Sequence, residues 1–136
     1  MDHITADRRS ENMRRIRGKD TSPEMAVRRL VHGMGYRYRL HVEKLPGSPD
    51  LVFAGRRKII LVHGCFWHRH PKCRKATMPK TRIDFWQEKF EKNVFRDRRN
   101  ISELKKAGWS VLVIWECELG DSVHLTSKVA EFLRNL

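Results

Sequence analysis

Residues 46–73 read PGSPDLVFAGRRKIILVHGCFWHRHPKC. Leu45 to Pro49 has the composition of a turn, and Asp50-Leu51-Val52-Phe53-Ala54 follows it. That run predicts a strand that begins at Asp50. Gly55-Arg56-Arg57 makes a tight reversal, and Lys58–His63 (KIILVH) is apolar almost throughout, the pattern of a central strand covered on both faces. A tight reversal makes the two strands antiparallel neighbours. Asp50 at the start of one and His63 at the end of the next then meet at the same end of the sheet. A loop dense in cysteine, histidine and aromatic residues follows at once, so the groups that carry chemistry gather where strands end.

Working outward, YRYRLHV (36–42) alternates Tyr36, Tyr38, Leu40 and Val42 with Arg37, Arg39 and His41, which predicts a strand with one buried face. Thr21-Ser22-Pro23-Glu24 opens a helix: Thr21 suits the cap, Pro23 the first turn, and Glu24 the acid of a capping box. Val27, Leu30, Val31 and Met34 form its apolar stripe, and Gly33 and Gly35 end it. Residues 7–17 (DRRSENMRRIR) predict a short basic helix with Met13 and Ile16 on one side. This arm, residues 1–20, either docks loosely or orders on a nucleic acid, with Arg14 and Arg15 on phosphates.

Downstream, Ile83, Trp86, Phe90 and Val94 follow helical spacing, as do Ile101 and Leu104. Asp97 falls where the apolar stripe would pass, which predicts a bend or two helices near Asn93. WSVLVIW (109–115) predicts another buried strand with Cys117 just past its end. Ser122 starts a last helix that turns Leu125, Val129, Phe132 and Leu133 to the core. The order α-β-β-β-α-β-α predicts an α/β fold, a three-layer mixed β-sheet flanked by helices, in a single domain over residues 1–136.

The chain carries a net charge of +13. Residues 1–99 hold 25 Lys and Arg against 11 Asp and Glu, whereas residues 100–136 hold 4 against 5. A cationic surface serving only solubility would not segregate in this way, and a polyanion such as nucleic acid is the expected partner. No run of eighteen apolar residues exists to span a membrane. The polar N-terminus has no apolar core of a secretory signal, so a cytoplasmic location is expected. Three cysteines in such a chain suit a metal or the core better than disulfides.

Cys65, His70 and Cys73 lie at Cys-x4-His-x2-Cys spacing on one loop, and Cys117 arrives from a neighbouring strand end. Together they make a closed Cys3His set suited to one structural tetrahedral ion. The alternative is a core thiol at Cys117 with two incidental cysteines. Asp50, His63 and His68 stand outside that set. A carboxylate suits Mg²⁺, which keeps several waters and takes phosphate oxygens, and an imidazole suits proton transfer. Asp50 is otherwise explained as a turn-stabilising residue, and Glu24 as a helix cap. Phe66 and Trp67 sit among the ligands, where little core is at hand, so both are expected to be exposed and available to stack on or wedge between bases. Trp86 either joins them or packs inward. A non-catalytic zinc-stabilised nucleic-acid-binding module accounts for the charge and the Cys/His set, but leaves Asp50, His63 and His68 without a task.

SPDLVF, VHGCFWHRHPKC, TRIDFWQEKFEKNVFRDRRN and GWSVLVIWEC closely resemble segments of the very short patch repair mismatch endonucleases, and NMRRIRGKDTSPE resembles that family's opening. The resemblance runs from about Ser10 to Cys117. It implies a restriction-endonuclease-like fold of the PD-(D/E)xK type. It also implies nicking of one strand of double-stranded DNA, 5′ of the thymine in a T:G mismatch left when 5-methylcytosine deaminates. Carried over, Asp50 and the backbone carbonyl of Val62 would hold catalytic magnesium. His63 and His68 would handle water and phosphate, supported by Glu24. Cys65, His70, Cys73 and Cys117 would bind structural zinc. Phe66, Trp67 and Trp86 would form an aromatic wedge, with Met13 reaching the opposite groove and Lys89 and Asn93 as further DNA contacts. The implied partners are a cytosine-5 DNA methyltransferase, as a functional link, and mismatch-repair proteins; the protein itself would act as a monomer. The wider superfamily places an acid and then a lysine on the strand after the aspartate, and KIILVHG supplies neither. The short-patch group replaces them with a histidine and a main-chain oxygen. A sequence-specific nicking or restriction-type enzyme acting on matched DNA is the remaining alternative.

Overall fold

A computed structural model describes residues 20–135; the basic arm, with Met13, Arg14 and Arg15, lies outside them. The elements are helix α1 (Ser22–Gly33), strands β1 (Arg39–Leu40), β2 (Leu51–Phe53) and β3 (Lys58–His63), helix α2 (Ile83–Lys106), strand β4 (Ser110–Trp115) and helix α3 (Ser122–Arg134). The sheet runs β1-β2-β3-β4. The first two pairings are antiparallel, and β3 pairs with β4 in parallel, from Lys58 against Ser110 to His63 against Trp115. Parallel neighbours need a long crossover, which α2 supplies.

Alternation along the strands builds two cores. Leu51 and Phe53 of β2, Ile60 of β3 and Ile114 of β4 pack with Val27 and Val31 of α1 and with Leu125, Val129 and Leu133 of α3. Val52, Ile59 and Leu61 face the other way, onto Leu104 of α2, with Ile101 and Val113 beside them. The layers are therefore α1 and α3 on one face and α2 on the other, the mixed sheet flanked by helices that the pattern predicts. Among the described residues no helix is long and apolar enough to cross a membrane.

Two local expectations fail. The strand expected over 36–42 shrinks to Arg39–Leu40, because His41 takes a left-handed φ of 45° and Leu40 stays exposed. Tyr36 and Tyr38 still lean on the core, Tyr38 edge-on to Phe53. The break into two helices near Asn93 is absent: α2 is one helix of 24 residues. Asp97 interrupts the apolar stripe without cost to the helix because its carboxylate finds a partner in His68.

The turn before Asp50 packs closely on α2. Gly47 has φ +76°, and a Cβ there would lie 2.6 Å from Nδ2 of Asn100. Gly47→Ala is expected to lower unfolding free energy by about 1–3 kcal/mol, from backbone strain and overpacking together. Adding Asn100→Ala should recover only the steric share. Urea denaturation of the two variants measures both, and equal losses in the single and double variants would contradict the close approach.

Candidate active site and metal centre

The ends of β2 and β3, the loop after β3 and the inward face of α2 enclose a cleft of about 1170 Å³. Asp50 sits at the head of β2, and its Oδ2 accepts the main-chain N–H of Val62 at 2.8 Å. That bond ties the acid to the neighbouring strand and fixes its plane. Burial, opposed by the Val62 N–H and reinforced by the nearby Glu24 carboxylate, pushes the Asp50 carboxyl up to about 7. A cation placed here would offset that crowding of anions, so the donor set fits a hard, oxygen-preferring ion.

Glu24 does more than cap α1. Its N–H donates to Thr21 Oγ1 at 3.3 Å, as a capping box requires. Its carboxylate is almost wholly buried and accepts from Arg28 and from His41 Nε2 at 2.8 Å. His41 Nε2 also stands 4.0 Å from Asp50 Oδ1. Neither Arg28 nor His41 is marked out by the sequence pattern. Arg28 looks like one more surface charge on a basic helix, and His41 like the polar residue of an alternating strand.

His63 and His68 come together as two parallel rings, centroids 4.0 Å apart and planes within 6°. Burial, with His68 adding to it, holds the His63 imidazole down to about 3, so the ring is neutral at ordinary pH. His68 Nδ1 meets Asp97 Oδ2 at 2.6 Å. A carboxylate offers only acceptors, so Nδ1 carries the hydrogen, and in the neutral ring Nε2 is left as the basic nitrogen. His63, His68 and Asp97 offer ligand or proton-relay atoms within 4.8 Å of one another. The signal that could have found Asp97 was the very break in the apolar stripe that suggested a bend.

Cys65, His70, Cys73 and Cys117 also converge, with one donor atom from each inside 4.8 Å. Cys65 and Cys117 sulfurs lie 3.7 and 3.4 Å from His70 Nδ1. A tetrahedral ion with metal–sulfur and metal–nitrogen bonds of about 2.3 and 2.0 Å has edges of about 3.5 Å between such ligands, so the donors are spaced to hold one metal ion. Burial pushes the Cys65 thiol up to about 12, and ion binding must displace its proton. The His70 ring stacks on Trp115 at 4.2 Å, and Glu116 Oε1 accepts the Cys65 N–H at 3.3 Å.

Phe66, Trp67 and Trp86 are half-buried, not exposed. Phe66 meets Trp67, Trp86 and Phe90 edge-to-face, and Trp86 packs at a tilt on Trp67 and Phe90, at centroid separations of 5.0 to 5.9 Å. Arg69 supports this cluster: its guanidinium lies 4.0 Å from the Phe90 ring centroid and donates to the carbonyls of Phe66, Ala76 and Thr77. The loop has little sheet to lean on, and α2 supplies the missing wall. Asn93 Nδ2 donates to the Trp67 carbonyl at 3.2 Å, and Lys89 and Asn93 both line the cleft.

The family model for the DNA mismatch endonuclease Vsr matches residues 1–75. The type II nicking enzyme V.XorIIP of Xanthomonas oryzae pv. oryzae is 47% identical over 132 residues, 97% of this chain and 96% of that protein. The DNA mismatch endonuclease Vsr of Escherichia coli is 47% identical over 120 residues, 88% of this chain and 76% of that protein. Among solved structures, the catalytic domain of the homing endonuclease I-Bth0305I superposes with a TM-score of 0.56 at 23% identity, over 83% of this chain and 94% of that one. That likeness is one of fold: a restriction-endonuclease-like α/β architecture.

The raised Asp50 carboxyl has a consequence for stability. Its folded value of about 7 lies above the ordinary 3.8, so the folded state binds the proton more tightly. The stability this confers is full below the unfolded value and fades as pH rises through the folded one. Asp50→Asn without added divalent cation should therefore match wild type near pH 4 and exceed it by on the order of a few kcal/mol at pH 8. Chemical denaturation across that range measures the difference, from which the His63 contribution cancels. A gap that does not change with pH would contradict the assignment.

Proposed function

The chain belongs to the DNA mismatch endonuclease Vsr family and is a DNA nicking endonuclease, and from that premise we propose that it cuts one strand of double-stranded DNA 5′ of the thymine in a T:G mismatch. The observation that carries this reading is that Asp50, His63 and the His68–Asp97 pair line one cleft beside the aromatic cluster.

Asp50 and the Val62 carbonyl would hold magnesium, which when bound supplies positive charge to the scissile phosphate and lowers the pKa of water. Asp50 keeps its orientation through the Val62 N–H, and Glu24 stands behind it. His68 Nε2 takes the proton of the attacking water. Asp97 stabilises the imidazolium that forms and holds the ring in the required tautomer. His63, neutral and stacked on His68, is suited to a hydrogen bond with a phosphate oxygen. Cys65, His70, Cys73 and Cys117 would hold zinc, pinning the loop that carries His68 and the wedge.

Phe66, Trp67 and Trp86 form a ready-made apolar face. Inserted at a wobble pair, it unstacks a step for a few kcal/mol, less than at a matched pair. Lys89 and Asn93, which line the cleft, would read the opened base edges, and Met13, Arg14 and Arg15 would hold the duplex. The mismatch itself arises by deamination of 5-methylcytosine, which ties the activity to a cytosine-5 methyltransferase. A second reading, nicking of matched DNA at a defined sequence, takes its support from the V.XorIIP relative, which is named a type II nicking enzyme.

T:G and T:A duplexes of one flanking sequence, incubated with Mg²⁺ or with chelator, separate these readings. Nicking of the T:G strand alone, only with Mg²⁺ and absent in Asp50→Asn, is the expected result. Equal cleavage of T:A would favour the second reading, and cleavage in chelator would contradict the metal assignment. Asp97→Asn should lower kcat by about 10²-fold or more, the usual contribution of a positioned acid–base group. Affinity for the T:G duplex should be unchanged by that substitution, and a variant with wild-type kcat would remove Asp97 from the mechanism.

A further inference from the structure

Glu24 Oε2 accepts from three donors: a terminal nitrogen of Arg28, His41 Nε2 at 2.8 Å and the main-chain N–H of Asp20 at 3.4 Å. The last lies within the N-terminal turn of α1. Arg28 comes from the same helix and shares its charge with Asp20 Oδ1 at 2.6 Å. Its Nε is buried with no partner, so the guanidinium acts as a counter-charge more than as a saturated donor. His41 is different, because it arrives from the sheet.

At φ 45° His41 occupies a backbone region that residues other than glycine rarely adopt. Such strain persists where the surroundings over-determine it, and it clusters at functional sites. Here the surroundings are the site itself. The His41 N–H donates to the Asp50 carbonyl at 3.4 Å, its ring bonds Glu24, and the same ring nitrogen stands 4.0 Å from Asp50 Oδ1. The side chain is 11% exposed. The left-handed residue ends β1 early and turns the imidazole into the cleft, where an ordinary strand would have continued.

We propose that His41 is a positioning residue of the endonuclease site, bridging helix α1 to strand β2 so that the Glu24 carboxylate stays fixed against Asp50. The inference deepens the function proposed above and rests on its assignment of Asp50 to magnesium. Two neighbouring carboxylates repel and swing apart unless donors hold them. Arg28 restrains Glu24 from its own helix, whereas His41 links it to the segment that carries Asp50. Partners that orient a ligating carboxylate typically contribute a factor of about 10–100 in metal affinity or activity.

The test is Mg²⁺ affinity of the full, zinc-loaded chain by isothermal titration calorimetry, with Tm on the same samples. It compares wild type with His41→Ala, His41→Asn and His41→Gln. Glutamine puts an amide donor at the reach of Nε2. Asparagine tolerates the left-handed backbone but stops short of Glu24. Ala and Asn should weaken Mg²⁺ binding by about 10–100-fold, with kcat falling alongside, while Asn keeps a Tm close to wild type and Gln recovers most of the affinity. Wild-type affinity in Ala or Asn overturns the proposal, as does a loss in Gln as deep as that in Ala. A wild type that binds Mg²⁺ but leaves T:G duplex whole overturns the proposed function alone; one that does not bind Mg²⁺ overturns both.

Discussion

The parallel pairing of Lys58–His63 with Ser110–Trp115 is the constraint on which the rest depends. It carries the chain to two adjacent strand ends, His63 and Trp115, and the His63–His68 stack and the Cys/His set hang from those ends. The loop after His63 brings Cys65, His70 and Cys73; the turn after Trp115 brings Cys117 and Glu116. Slide β4 by one residue against β3 and its side chains change face. Ile114 would leave the α1–α3 core, and Cys117 would move away from the cysteine loop. The apolar burial on both faces of the sheet therefore sets the register that the chemistry needs.

Within that frame the donors are sorted by softness. Sulfur and nitrogen gather at Cys65, His70, Cys73 and Cys117, the set that suits zinc, and oxygen gathers at Asp50 and Glu24, the set that suits magnesium. The His63–His68 stack and Asp97 lie in the cleft as well, with His68 on the loop that carries Cys65, His70 and Cys73. A small domain with few buried charges can hold such a cluster because each member has a partner. Asp50 has the Val62 N–H, Glu24 has Arg28 and His41, and Asp97 has His68.

Long-period features were legible in the residues. KIILVH reads directly as a buried strand because two-sided burial leaves an unbroken apolar run. WSVLVIW reads the same way, but β4 stands at the sheet edge with only Ile114 fully buried. The cysteine spacing showed which donors one loop could bring together. The features that escaped depend on contacts far away in the chain. Asp97 reads as a helix breaker until His68, 29 positions earlier, is placed against it. His41 reads as the outward residue of an alternating strand, since nothing local reports a left-handed turn whose purpose lies at Glu24, 17 positions away. Phe66 and Trp67 look exposed because the loop lacks its own core, and the wall that half-buries them, Trp86 and Phe90, belongs to a later helix.

In the proposed mechanism an ion held by the cysteine loop sets His68 against Asp97 and leaves its Nε2 as the base. The imidazole nitrogen shifts of His68, measured by ¹⁵N NMR in the zinc-loaded protein and again after zinc is stripped, test it most directly. A single tautomer with hydrogen on Nδ1 is expected in the loaded protein, and averaging between tautomers once the loop is released. Hydrogen on Nε2 in the loaded protein, or a spectrum indifferent to zinc, would contradict it.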